Sequence, residues 1–217
     1  MRILRLGGPD PLEGGGMSPD PPGVHDMTAY TLALFAHVTG ALGLFVALGL
    51  EWNALAGLRS ARTAEDARRS LGTFGTLRVL GPISLLTILA SGLYLTATVG
   101  WQGWNGVALW ALVLIGALGA GSNAPRLPRL GRVLAGRQGA LPPEVAAQLR
   151  DGILWSSMVT RAAIALGIVF LMTTKPDAAG ALVALAVAAG LGLALARLTS
   201  RPAAPASADA QRLGRAS

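Results

Sequence analysis

Five runs of about twenty mostly apolar residues, at 28–50, 77–99, 104–122, 153–174 and 178–198, divide the chain. A helix rises about 1.5 Å per residue and a bilayer's hydrocarbon core is about 30 Å thick, so each run has the length of a membrane crossing. Charged residues make up 13% of the chain, against about 25% in soluble domains, which points to lipid rather than an outsized core as the solvent. The expected fold class is therefore an all-α membrane protein, a bundle of five transmembrane helices within residues 27–199.

The charge pattern orients this bundle. The chain carries +7 net charge, and its only lysine is Lys175. Arg59, Arg62, Arg68, Arg69 and Arg78 follow the first run, Arg126, Arg129, Arg132, Arg137 and Arg150 follow the third, and Arg197, Arg201, Arg212 and Arg215 follow the start of the last turn of the fifth. The turn after the second run is uncharged, and the turn after the fourth holds only Lys175 and Asp177. Basic segments alternate, as the positive-inside rule requires, which predicts the N-terminus outside and the C-terminus in the cytoplasm. The basic excess is thus read as topology, and no nucleic-acid partner is expected. Trp101 and Trp104 are expected at the outer interface, and Trp52 and Trp155 at the inner one.

Residues 1–26, rich in Gly, Pro and Asp, show no apolar period and are expected to be a disordered tail, with the true start at Met27 or Met17. "ALA" at 54–56 resembles a signal cleavage site, but the run before it is too long for an h-region. "TAEDARRSL", with Thr63 as N-cap and Asp66 three residues on, and "LPPEVAAQLRDG" offer short surface helices in the basic loops. Residues 200–217 are expected to be a disordered cytoplasmic tail.

Polar side chains inside hydrocarbon are costly and turn toward the bundle interior. Ser84, Thr87, Ser91, Tyr94 and Thr98 recur at steps of three and four, placing them on one face of the second span. That face can bond neighbouring helices or line a polar pocket. In "TLALFAHVTGALGLFVALGLEW", His37 lies about 13 Å below the outer end by helical rise, level with Ser91. Its imidazole can bond a Ser, Tyr or carbonyl, ligate haem or a metal, or relay protons. Arg161 is about 21 Å from the outer end, where it can snorkel, pair with Glu51 or recognise an anion.

With no cysteine, disulfides, iron–sulfur clusters and thiolate zinc sites are excluded. No phosphate-cradling loop, nucleophile elbow, zinc-protease or dinucleotide motif is present, and the chain is not expected to be an enzyme. Gly180, Ala184, Ala188, Gly192 and Ala196 put a small residue at every fourth position of the fifth span, a stripe suited to close packing on the chain's own bundle or, alternatively, on a second copy in a homodimer.

"LFAHVTGALGLFVALGLEW", the basic loop after it, "SGLYL", the Trp-rich outer turn and "GIVFLMTTKP" together resemble a bacterial integral-membrane family of unassigned function, over roughly residues 28–198. More distantly, the early His37 resembles CopD-like copper-resistance proteins and HemJ-type haem-pathway membrane proteins. The resemblance implies a multi-pass protein of the bacterial inner membrane, and in the distant families a first-span His serving metal or haem chemistry. Two functions are expected from these observations. One is binding or conduction of a small solute in a pocket lined by spans one, two and four, with His37, Ser84, Thr87, Ser91, Tyr94, Arg161 and Glu51 as candidates. The other is haem- or metal-linked redox chemistry at His37.

Overall fold

The computed structural model describes residues 24–150 and 152–200, with side chains from Thr28 onward. The expectations for residues 1–23 and 201–217, including the start at Met17 and the C-terminal tail, lie outside the described residues. Six helices follow in order, α1 Val24–Ser60, α2 Ala64–Val99, α3 Gly103–Leu134, α4 Pro143–Leu149, α5 Gly152–Thr174 and α6 Ala178–Ser200. Five stretches of helix are long and apolar enough to cross a membrane. Leu42, Ile83, Leu86, Trp110, Leu166, Leu182 and Leu191 are all more than half exposed, so the bundle's outer surface is itself hydrocarbon. That surface suits a lipid solvent and would aggregate in water.

The helices at the arginine-rich end are longer than their apolar runs. α1 has 37 residues, a length of about 55 Å, and extends ten residues beyond the expected limit of its run at residue 50. Residues 24–26, expected in the N-terminal tail, open this helix. "TAEDARRSL" is not a separate surface helix. Thr63 Oγ1 accepts from the Asp66 N–H at 3.2 Å and starts α2 itself, which runs unbroken to Val99. α3 likewise continues past residue 122 to Leu134, with Pro125 and Pro128 inside it. The expected helix in the second basic loop forms as α4, with proline in its first turn.

These extensions knit the arginine-rich end together. The Ala64 N–H donates to the Gly139 carbonyl at 2.9 Å, and the Leu141 N–H donates to the Arg62 carbonyl at 3.0 Å. Arg68 Nη1 donates to the carbonyls of Leu134 and Arg137, tying α2 to the end of α3. Trp155, expected at the inner interface, turns into the bundle at the arginine-rich end. It is buried, with its ring centroid 4.8 Å from that of Trp52 and the Arg59 guanidinium 4.9 Å above it, while its Nε1 donates to Thr199 Oγ1.

Glycine decides which helices touch. Gly40 and Gly43 of α1 lie directly against Ile88, Thr87 and Ser84 of α2, forming a close antiparallel pair. α5 packs on α1, α3 and α6, and its buried residues recur along almost its whole length. At the α5–α6 seam a Cβ added to Gly192 would stand 2.8 Å from Ala163 Cβ and 2.9 Å from Thr160 Cα. Gly192 and Ala196 of the small-residue stripe are buried, and Ala188 meets Gly167, so within this chain α5 covers the stripe from Ala188 to Ala196. Gly190 two residues away has no heavy atom within 4 Å of an added Cβ.

Gly192→Leu should therefore force α6 off α5 and cost about 1–3 kcal/mol, whereas Gly190→Ala should leave the melting temperature in detergent unchanged or raised. Equal melting of the two variants would mean that the seam does not depend on this close approach.

Candidate functional site

Glu51 and Arg161 meet in the bundle interior. Arg161 Nη2 donates to Glu51 Oε1 at 2.5 Å, with both side chains less than one-tenth exposed. The depth argument placed the two within reach. The structure adds a third partner, Asn123 of α3, whose Nδ2 donates to the same Glu51 oxygen at 3.0 Å. From Asn123 a polar chain continues within α3 to Ser122, 3.3 Å away, and across to Ser157 of α5, whose hydroxyl lies 3.0 Å from Ser122 Oγ. The Ser157 hydroxyl also lies 3.3 Å from the Leu118 carbonyl. Gly119 makes room for the cation, since an added Cβ there would sit 3.1 Å from Arg161 Nη1.

This network borders a cavity of about 400 Å³ between α1, α2, α3 and α5. Glu51, Asn123, Arg78 and Arg161 supply its polar wall, and Leu44, Leu48, Leu85 and Ile115 part of its apolar wall. Two arginines face one carboxylate, a formal excess of one positive charge. Arg161 Nε is buried without a hydrogen-bond partner, so its guanidinium is only partly satisfied by Glu51. Pro82 also lines the cavity, and with no N–H it leaves the Arg78 carbonyl without its helical donor.

A second cavity, of about 290 Å³, opens toward the other end of the same four helices. His37, Gln102, Asn105, Thr96 and Lys175 are among its polar lining residues, with Ile88, Leu112 and Met172 among the apolar ones. His37 Nδ1 lies 3.2 Å from Ser91 Oγ, the juxtaposition expected from depth. Ser91 Oγ is also 2.5 Å from the Thr87 carbonyl, which can only accept. The Ile88 carbonyl lies 3.2 Å from the same hydroxyl, and when Ser91 donates to either carbonyl it accepts from His37 Nδ1. Nε2 then carries the lone pair.

The candidates from the second span do not form one pocket wall. Ser84 and Thr87 pack against Gly43 and Gly40 of α1, and Ser91 bonds His37. Tyr94 is 40% exposed. None of these four borders either cavity. α2 lines the cavities through neighbouring faces instead, with Arg78, Gly81, Pro82 and Leu85 at one and Ile88, Gly92, Leu95 and Thr96 at the other. Asn123 escaped the sequence reading because it lies one residue past 122, the expected end of the third run. Its signal was an amide one helical turn beyond Gly119, at the depth of Glu51.

Compared with known protein families, with curated proteins and with solved structures, the chain matches none. Fold and site define it as a multi-pass helical protein suited to a membrane, with a buried ion pair at the wall of an internal cavity.

Removing one member of a buried pair strands the other charge and costs about 3–5 kcal/mol. Glu51→Ala or Arg161→Ala should each destabilise the protein on that scale in denaturant titrations of detergent-solubilised protein. The double variant Glu51→Leu/Arg161→Met should recover most of the loss, and Asn123→Ala should cost only about 1 kcal/mol. Additive losses in the two single variants and the double would show that the residues are not coupled.

Proposed function

We propose that this protein is a bacterial inner-membrane protein that binds a small, singly charged anionic solute with an apolar body in the Glu51–Arg161 cavity, lined by spans one, two, three and four. One observation carries this reading: a partly satisfied, buried guanidinium beside a second arginine at the edge of an apolar cavity. Arg161 would receive the anionic group, because guanidinium donors match carboxylate, sulfonate and phosphate oxygens. Glu51 and Asn123 would hold Arg161 in place, and Leu44, Leu48, Leu85 and Ile115 would take the apolar body. The cavity volume falls within the range of about 300–1,000 Å³ typical of small-molecule sites.

Calorimetry on protein in lipid nanodiscs tests this with three probes of matched length, butanesulfonate, butyltrimethylammonium and butanol. The anion should bind and the cation should not. The paired neutral variant Glu51→Gln/Arg161→Gln keeps the shape of the pair and should weaken anion binding at least about tenfold. Equal affinity for anion and cation would refute the reading.

The arginine-rich end would face the cytoplasm, where basic segments are retained. In the cysteine-free chain, Trp101→Cys, at an exposed position of the α2–α3 turn, should react with an impermeant thiol reagent in intact cells and Gln138→Cys should not. The reverse pattern would invert the topology.

A second reading rests on His37, whose Nε2 lone pair belongs to a ring that borders the 290 Å³ cavity together with Met172. Among the described residues no group of three or more His, Cys, Asp or Glu could hold a metal ion, so the donor set suits haem with a single His ligand better than a bare ion. Such a haem would supply one-electron chemistry, with Ser91 fixing the tautomer and orientation of His37. Purified protein should then show a Soret band that His37→Ala removes, and a featureless visible spectrum after haem supplementation would exclude it.

A further inference from the structure

The two cavities are stacked along the bundle, and the same four helices line both. Along α1 the lining passes from His37 in one cavity to Leu44 in the other, and along α5 from Ile168 to Arg161. On α2 the step is from Ile88 to Leu85, and on α3 from Leu112 to Ile115. Three residues of helix amount to about 4.5 Å, so on these two helices the cavities are one turn apart. Apolar side chains separate them, with Leu44, Ile88, Leu112 and Ile115 all buried in one core cluster.

Both cavities carry the same sign of charge. Lys175 is the one lysine, arginine or acidic residue at the 290 Å³ cavity, and Arg78 and Arg161 outnumber Glu51 at the 400 Å³ cavity. Lys175 is held there by its backbone. It ends α5 in the left-handed region, at φ 46°, with its N–H donating to the Leu171 carbonyl at 2.8 Å. Gly81 and Pro82 lie at the 400 Å³ cavity, one to two turns from Ile88, where α2 lacks one of its helical hydrogen bonds.

We propose that the two cavities are the opposite vestibules of one path for small anions, closed in this structure by the layer Leu44, Ile88, Leu112 and Ile115. This rests on the anion-binding reading of the Glu51–Arg161 cavity and extends it from binding to passage. Anions enter past Lys175, are drawn toward Arg161, and cross when the apolar layer parts. The interruption in the α2 ladder at Pro82 gives that helix a place to bend. No covalent step is involved.

The chain's lack of cysteine makes the test direct. Ala108 borders the Lys175 cavity and Ala47 the Arg161 cavity, and Ala→Cys is a small change at each. In vesicles of reconstituted full-length protein, Ala108→Cys should react with impermeant methanethiosulfonates only from the face of the α2–α3 turn. Ala47→Cys should react only from the arginine-rich face. After correction for reactivity with a free thiol, the anionic sulfonatoethyl reagent should outpace the cationic trimethylammonioethyl reagent by about tenfold at both sites. Ile88→Ala/Leu112→Ala should let each cysteine react from either face and should raise butanesulfonate uptake several-fold. Labelling of both cysteines from one face, failure of either to react, or faster reaction with the cation would overturn the path. If the plug variant does not fold, the labelling in the intact plug decides alone. Butanesulfonate binding on the same preparation separates the two proposals: binding with no rise in uptake on opening the plug overturns the path and leaves the site, and absence of binding overturns both.

Discussion

The contact between Glu51 and Arg161 organises the bundle interior. Each charge alone would be costly in hydrocarbon, and neither side chain is more than one-tenth exposed. They are 110 residues apart in sequence, so the pair forms only when α1 and α5 are in register. Asn123 then ties α3 to the same carboxylate oxygen. Three helices are thereby fixed at one depth by hydrogen bonds, in a solvent that provides no hydrophobic force between helices. Gly119 belongs to this arrangement, because any side chain there would press on the guanidinium.

Elsewhere the bundle depends on shape. α1 lies on α2 through Gly40 and Gly43, and α6 lies on α5 through Gly192, Ala188 and Ala196. These seams bring backbones close and gain dispersion contacts. They leave little room for cavities, and both cavities fall instead among α1, α2, α3 and α5. Polar hydroxyls at the seams serve packing: Ser84 lies beside Gly43 and Thr87 beside Gly40.

Depth in the membrane was legible in the sequence because it follows from counting residues along a helix. Counting set the five spans, put His37 level with Ser91, and brought Arg161 within reach of Glu51. Rotation was not legible. The period of span two places Ser84, Thr87, Ser91 and Tyr94 on one side, but which neighbour that side meets is set by glycines on α1. It meets α1 rather than a cavity, and Tyr94 turns partly outward. The helix ends were obscured for another reason. Hydropathy falls where the chain leaves lipid, yet Thr63 caps α2 and the helix carries straight on into the polar region. Trp155 followed the belt rule by position, and is buried because Arg59 and Trp52 close over it.

A buried ion pair adds little stability over a well-packed apolar pair, and replacing it with hydrocarbon is often neutral or favourable. Register could have been set here as it is at the α5–α6 seam, by small residues alone. Stability therefore gives a poor account of Glu51 and Arg161, and the surroundings of the pair give a better one. Arg161 is left with an unpartnered Nε, Arg78 adds a second positive charge, and the cavity beside them is walled mainly by leucine, alanine and glycine. A site built only to hold helices together would close over its charges and satisfy them. This one leaves a guanidinium incompletely paired at the edge of a space large enough for a small molecule, with Oε1 of Glu51 already taken by both Arg161 and Asn123. The anionic solute proposed for this cavity would bring a further acceptor to that guanidinium.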